Sequence, residues 1–284
     1  MSTQTATPEL RLWILEQARA GHAPDAVLQA MRQSGWEEEV ALAALEQTLE
    51  GFLAEHARQQ ALPSATPVPE PDLARSPAVV CLPDGQVVRV VVSMRDPRVV
   101  VFADFLSRAE CEALRQLAAP RLARSETVDN STGGSEVNAA RTSAGMFFGR
   151  GETALIERIE QRIAALLRWP IENGEGLQVL HYLPGAEYKP HYDYFDPAQP
   201  GSATILKRGG QRVGTLVMYL NTPEAGGGTT FPDVQLDVAP VQGHAVFFSY
   251  DRAHPSSRSL HGGAPVIAGE KWVATKWLRE RRFD

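Results

Sequence analysis

Apolar positions change their period twice along this chain. Over residues 9–57 they recur at helical spacing: Leu10, Trp13, Ile14, Leu15 and Ala18, then Val27, Leu28 and Met31, then Val40, Leu42, Ala43, Leu45 and Leu49. Gly21 fits the stop of the first helix, and Ser34-Gly35 separates the second from the third. Three short amphipathic helices therefore predict a small bundle over residues 1–60. From 61 to 77 the periodicity stops. The stretch ALPSATPVPEPDLARSP holds five prolines, the composition of an extended, semi-rigid linker. Beyond it, two β-branched runs in VVCLPDGQVVRVVVS flank Asp84-Gly85 and predict a hairpin. VVVFADFL reads as a strand leading into a helix that begins at Ser107. Glu110 completes a capping box there, and Ala113, Leu114 and Leu117 form the apolar face. Residues 121–140 are polar and rich in Gly, Ser and Asn, and read as a mobile loop over a pocket. GETALIERIEQRIAALL carries Ile156, Ile159, Ile163 and Leu166 along one helical side, and Trp169-Pro170 ends it.

After 175 the pattern becomes strands broken by turns: GLQVLHYL, EYKPHYDYF, RVGTLVMYLN, GTTFP, VQLDV, HAVFFSY, SLHGGA and EKWVATKWLRE. Pro-Gly, Gly-Gly and Gly-Gly-Gly supply the turns between them, and this half shows no internal repeat. The expected fold class is α+β over residues 78–284, an antiparallel sandwich or jelly roll with helices packed on one sheet.

Composition narrows the setting more than the chemistry. A length of 284 residues, 43% hydrophobic and 22% charged, suits one large domain beside a small one. The net charge of -6 offers no general attraction for nucleic acid. Cys81 and Cys111 lie far apart in no CxxC pattern, which argues against a disulfide scaffold or a cysteine-built zinc site. MSTQTATPEL lacks the basic start and apolar run of a signal peptide, and no apolar run approaches the ~18 residues of a membrane span. The expectation is a cytoplasmic protein with no membrane partner.

Candidate chemistry centres on His191-Tyr192-Asp193. On an extended strand, side chains two apart face the same side, so an imidazole and a carboxylate aim at one point. A third ligand would complete the two-histidine, one-carboxylate set of a non-haem Fe(II) oxygenase. Four histidines compete for that place. His181 lies in an apolar strand and reads as a hydrogen-bonded core residue; His244 follows a Gly turn, and His254 sits in a polar loop before Pro255. His261 precedes Gly262-Gly263, which permit close backbone approach, and the residues alone prefer it only slightly. Lys271 opens KWVATKWL, an otherwise apolar strand, where an ammonium needs an anion such as the far end of a dicarboxylate. Thr229, after three glycines, could donate to that carboxylate.

These residues bring a family into view. EGLQVLHY, YKPHYDYF, GGQRVGTLVMYLN, GGGTTFP, LHGG and GEKWVATKWL resemble the prolyl 4-hydroxylase family of Fe(II)/2-oxoglutarate dioxygenases, in order and spacing, over roughly residues 98–280. The resemblance implies a double-stranded β-helix core in which His191, Asp193 and His261 bind Fe(2+). Lys271 would hold the C5 carboxylate of 2-oxoglutarate, with Tyr182 and Thr229 hydrogen-bonding nearby. Glu175, Tyr188, Arg212 and Trp277 would surround a proline-containing peptide or protein substrate. It implies O2 consumption, release of succinate and CO2, and dependence on L-ascorbate. Several relatives carry a histidine two positions after the Trp277 equivalent; here Arg279 stands there, a departure that bears on peptide recognition. RTS at 141–143 also resembles the family, with no role to assign. Separately, QSGWEEEVALAAL resembles the third helix of a ubiquitin-associated-like bundle, which implies a protein partner for residues 1–60. An accessory bundle or dimerisation element is the other reading. Rival functions are catalytic zinc on the same ligands, which leaves Lys271 and Thr229 without a task, the same oxidation of a free amino acid, small metabolite or nucleobase, and a binding protein with an inert sandwich.

Overall fold

Thr7 begins the first helix for a local reason: its hydroxyl accepts the Leu10 N–H, and Pro8 fills the first turn where no donor is needed. The computed structural model describes residues 4–59, 62–75, 77–125, 127–128, 135–136 and 142–284. The chain divides into two compact units, Met1–Ser64 and Ala65–Asp284. In the first, helices α1 (Pro8–Arg19), α2 (Pro24–Gln33) and α3 (Glu38–Gln59) share a core of Leu10, Ile14, Val27, Met31, Ala41, Ala44 and Leu45. Gly21 and Gly35 take positive φ at the two turns. The buried face of α3 differs from the expected one. Leu42 and Ala43 are exposed, because positions 41, 44, 45 and 48 form the inward stripe at i, i+3, i+4 and i+7.

The proline-rich stretch is docked rather than free. Thr66 donates its N–H to the Asp251 carbonyl at 2.8 Å, and Glu70 donates its N–H to the Leu167 carbonyl at 3.0 Å. Arg98 pairs with Glu70 at 2.5 Å, and Pro69 and Pro71 are buried. A Cβ on Gly214 would stand 2.6 Å from the Pro69 ring, so the strap needs glycine beneath it. The expected boundaries, a linker over 61–77 and a domain from 78, therefore shift: the second unit begins at Ala65. Composition records that these residues cannot continue a helix; it does not record that proline rings bury well against a sheet.

In the second unit β1 (Val79–Cys81), β2 (Val87–Met94) and β3 (Arg98–Ala103) precede α4 (Arg108–Ala118). The predicted hairpin and capping box are both present. β4 (Ala123–Arg124), β5 (Thr127–Val128), β6 (Ser135–Glu136) and β7 (Ala144–Phe148) lead to α5 (Ala154–Leu167). Most of the expected loop over 121–140, and Arg141 of RTS, lies outside the described residues. Of the described part, β4 joins the large sheet and β5 pairs with β6. Then follow β8 (Leu177–Tyr182), β9 (Tyr188–His191), α6 (Ser202–Ile205), β10 (Arg212–Tyr219), β11 (Ala225–Gly226), β12 (Thr229–Phe231), β13 (Leu236–Val238), β14 (Ala245–Ser249), β15 (His261–Gly263), β16 (Val266–Ala268) and β17 (Lys271–Arg279).

Nine strands form one antiparallel sheet in the order β1-β2-β3-β14-β10-β17-β8-β7-β4, and four form another, β13-β12-β15-β9. Period-two alternation sorts the large sheet's side chains. Leu216, Met218, Phe247, Trp272, Ala274 and Leu278 face α4 and α5, packing on Cys111, Leu114, Ile156, Ile159 and Ile163. Tyr219, Val246, Phe248 and Val273 face the other way and join Phe231 and Val238 of the smaller sheet. The helices thus cover one face and leave the other for a pocket.

One charge pair lies on the helix-covered face. Lys276 of β17 meets Glu160 of α5 at 2.5 Å, both 2% exposed. Glu160→Gln strands the ammonium and is expected to cost about 3–5 kcal/mol. Glu160→Leu combined with Lys276→Met should come out close to neutral. Urea unfolding of both variants checks the contrast, and equal losses would contradict it.

Candidate metal centre and pocket

Antiparallel pairing of β9 with β15 sets His191 opposite His261. Their rings lie 4.4 Å apart between centroids. Asp193 stands between them, with Oδ1 3.5 Å from His191 Nε2 and Oδ2 3.5 Å from His261 Nε2. One ligand atom from each lies within 4.8 Å of the others, the only such group among the described residues. Each histidine is turned by its own backbone: Nδ1 of His191 lies 2.8 Å from the Lys189 carbonyl, and Nδ1 of His261 lies 3.0 Å from the Ser259 carbonyl. A carbonyl only accepts, so both Nδ1 atoms carry the proton and both Nε2 lone pairs point inward. Burial, despite Asp193, pushes the His261 imidazole down to about 4, which keeps it neutral and able to ligate. Burial alone would raise the Asp193 carboxyl, but His261, His191 and Arg212 hold it well below the usual range. Two neutral nitrogens and one carboxylate suit a divalent metal such as Fe(II).

Asp193 reaches this point by a route that strand periodicity does not describe. β9 ends at His191, and Asp193 lies in a bend beyond it. The Thr215 hydroxyl on β10 donates to its Oδ2 at 2.7 Å, and Thr215 Oγ1 lies 3.0 Å from the Tyr250 hydroxyl. Neither residue stood out in the sequence, although a threonine within the apolar run VGTLVMY was the available signal. The competing histidines lie elsewhere. His181 faces the helices, stacked on Trp272 at 4.1 Å and bonded to Glu270 at 2.7 Å. His254 caps a short turn by accepting the Ser256 N–H. His244 precedes β14 and is not among the grouped ligand residues.

Lys271, Thr229 and Tyr182 line the same pocket as the three ligands. Lys271 is 4% exposed, and among the described residues no carboxylate pairs with its ammonium. Its marked neighbour is the Tyr182 ring, 5.4 Å away, which β8–β17 pairing sets directly opposite. Burial pulls its pKa down to about 8, as expected for a cation without an anion. Thr229 accepts the Tyr219 hydroxyl at 2.8 Å and so keeps its own proton to donate. Gly227 leaves room beside the lysine, since a Cβ there would come within 3.1 Å of Lys271 Cδ.

The four expected substrate residues divide. Trp277 and Tyr188 line the pocket, Tyr188 stacked on His191 at 3.7 Å. Trp277 lies on the same strand face as Lys271, as their spacing predicts. Glu175 and Arg212 do not line it. They bind each other at 2.7 and 2.9 Å, and the Arg212 guanidinium lies 4.0 Å over the Trp277 ring. Their visible work is to fix that ring. Arg279 is 1% exposed, donates to the Ile205 and Arg208 carbonyls, and stands 3.6 Å from Glu175. The departure from the relatives thus lies behind the Trp277 wall. Thr142 and Ser143, from RTS, bond Glu187 and Ser125 and tie that segment to the turn before β9.

A model of the 2OG-Fe(II) oxygenase superfamily matches residues 177–279. Prolyl 4-hydroxylase 1 of Arabidopsis thaliana is 44% identical over 69% of this chain and 74% of its own length. Prolyl 4-hydroxylase 5 of the same plant is 42% identical over 66% of this chain and 70% of its own. Among solved structures, the viral collagen prolyl hydroxylase of Paramecium Bursaria Chlorella virus-1, in its 2OG complex, is 30% identical. That match covers 64% of this chain and 95% of the viral one, with a TM-score of 0.51.

Proposed function

Because this chain belongs to the prolyl 4-hydroxylase family of 2OG-Fe(II) oxygenases, we propose that it hydroxylates a peptidyl proline at C4, using Fe(II), 2-oxoglutarate and O2 and releasing succinate and CO2. One observation carries the reading: a single pocket holds the His191, Asp193 and His261 ligand group together with a buried lysine that has no anionic partner among the described residues. Zinc hydrolysis would leave that lysine without a task.

Fe(II) with 2-oxoglutarate, when bound, supplies the O2-activating oxidation chemistry. The protein's part is placement. His191 and His261 offer Nε2, with Nδ1 already committed to backbone carbonyls. Asp193 offers a carboxylate held by Thr215. Lys271 and Thr229 present donors to a second carboxylate. Trp277 and Tyr188 form apolar walls that limit water, and with Glu175 and Arg212 we assign them to the peptide.

We read the two sheets as a double-stranded β-helix, since the pocket draws side chains from both. Ascorbate is proposed as the reductant on family grounds. A cytoplasmic setting is favoured by two free thiols, one of them exposed. Among the described residues no helix is long and apolar enough to cross a membrane. Residues 1–60 are proposed to engage a protein partner through their own helices.

The test is a panel of proline-containing peptides beside free proline, with Fe(II), 2-oxoglutarate and O2. Mass spectrometry should show one oxygen gained on a peptidyl proline, with succinate formed in step. Turnover of free proline alone would transfer the reaction to a small molecule. No conversion of 2-oxoglutarate under any condition would remove the oxygenase reading.

A further inference from the structure

The carboxylate between the two histidines is held by a relay that begins on the large sheet. Asp193 Oδ2 accepts the Thr215 hydroxyl at 2.7 Å. An ionised carboxylate can only accept, so the single Thr215 proton is spent there. The neighbouring contact, 3.0 Å from Thr215 Oγ1 to the Tyr250 hydroxyl, then has one polarity: Tyr250 donates. All three residues are buried, where hydrogen bonds are strong and polarise one another.

The relay joins a bend to the large sheet. Asp193 lies in a bend past the end of β9, so no ladder bond of its own strand fixes its side chain. Thr215 lies inside β10, and Tyr250 follows β14; these strands are neighbours in the nine-stranded sheet. The Tyr250 N–H donates to the Val213 carbonyl at 3.2 Å, which sets Tyr250 diagonally across from Thr215 on the same face. The Tyr250 ring is held edge-on by Tyr194 at 6.2 Å.

We propose that Thr215 and Tyr250 are positioning residues that fix the rotation of the Asp193 carboxylate and thereby tune metal affinity. Thr215 takes one acceptor position of Oδ2 and so restrains the carboxylate from rotating. Tyr250 orients the Thr215 hydroxyl toward Asp193 rather than toward a backbone carbonyl. The inference rests on the metal reading of His191, Asp193 and His261.

Co(II) serves as the probe, without 2-oxoglutarate or turnover. Its affinity is measured by competition with a chelator, and its visible absorption reports ligand geometry. Thr215→Val keeps shape and removes the donor. It is expected to weaken Co(II) by roughly tenfold, within the 10–100-fold seen for outer partners of metal ligands, and to alter the spectrum. Tyr250→Phe keeps the Thr215 donor and should fall between wild type and Thr215→Val, about threefold, below the 10–100-fold scale because only the orientation of the donor is lost. Thr215→Ser should restore the wild-type affinity and spectrum, which a merely structural role for the threonine methyl would not allow. Thermal midpoints confirm that each variant is folded, and Tyr250→Phe carries the test if Thr215→Val is not. Variants matching wild type in affinity and spectrum overturn the relay while leaving the metal reading intact. Wild-type protein that fails to bind Co(II) removes the metal reading itself.

Discussion

Asp193→Ala is expected to abolish proline hydroxylation and stoichiometric iron binding together. The site holds three protein ligands, and Asp193 supplies the only negative charge among them. Without it, two neutral imidazoles remain to hold a divalent cation. The loss should exceed by a wide margin the ~10–100-fold that removal of an outer partner costs. It should not unfold the protein, since the carboxylate is itself a buried charge whose removal spares a desolvation cost. Iron content after dialysis, succinate release and a thermal melt separate these effects. Retained iron with lost turnover would shift Asp193 from ligand to another role, and retained turnover would place the metal elsewhere.

Lys271→Met should have the second largest effect, with opposite consequences for binding and stability. The ammonium is 4% exposed and among the described residues meets no carboxylate. If it receives the far carboxylate of 2-oxoglutarate, its removal leaves that anion buried and unpaired. The expected loss is about 3–4 kcal/mol, or on the order of 10²–10³-fold in 2-oxoglutarate affinity. Metal binding should be largely retained. Stability of the unliganded protein should move the other way. Burial holds the folded pKa at about 8, against an ordinary value of 10.5. Between those values the unfolded chain binds one more proton than the folded chain, so stability rises with pH across that window. Below about 8 the whole cost of the buried charge is present. Lys271→Met should therefore be more stable than wild type at pH 7, with the advantage shrinking as pH rises from 8 toward 10. Denaturant titrations at several pH values, beside 2-oxoglutarate binding, test both halves. Unchanged 2-oxoglutarate affinity would remove Lys271 from the co-substrate site.

Much of the site could be read from residue order because its chemistry is packed into short segments. HxD places two ligands within three residues, LHGG places the third beside glycines, and Lys271 opens a strand too apolar for an ordinary lysine. Helix α5 and the Ser107 capping box were legible for the same reason, since the determining atoms lie within a turn or two. Asp193 shows where such reasoning stops short. Period two aimed it correctly, yet it lies beyond β9, and a hydroxyl 22 positions away on β10 holds it. Glu175 and Arg212 show the same limit: the fold joins them to each other under Trp277, a pairing across 37 positions that residue order does not display. The strap from Ala65 and the buried face of α3 followed burial, which depends on a partner surface that local composition does not contain.

Ligand types, their order, the helices and the alternating strands were thus legible in residue order alone. These follow from backbone periodicity and side-chain chemistry within a few residues. For the third ligand the residues alone prefer His261 slightly and the family resemblance implies it; the tertiary structure brings it together with His191 and Asp193. The pairing of β9 with β15 sets His261 opposite His191 and turns His181 to the helices. Only the tertiary structure decided the Thr215 and Tyr250 support and the lone position of Lys271, because each depends on strands distant in sequence becoming neighbours in a sheet.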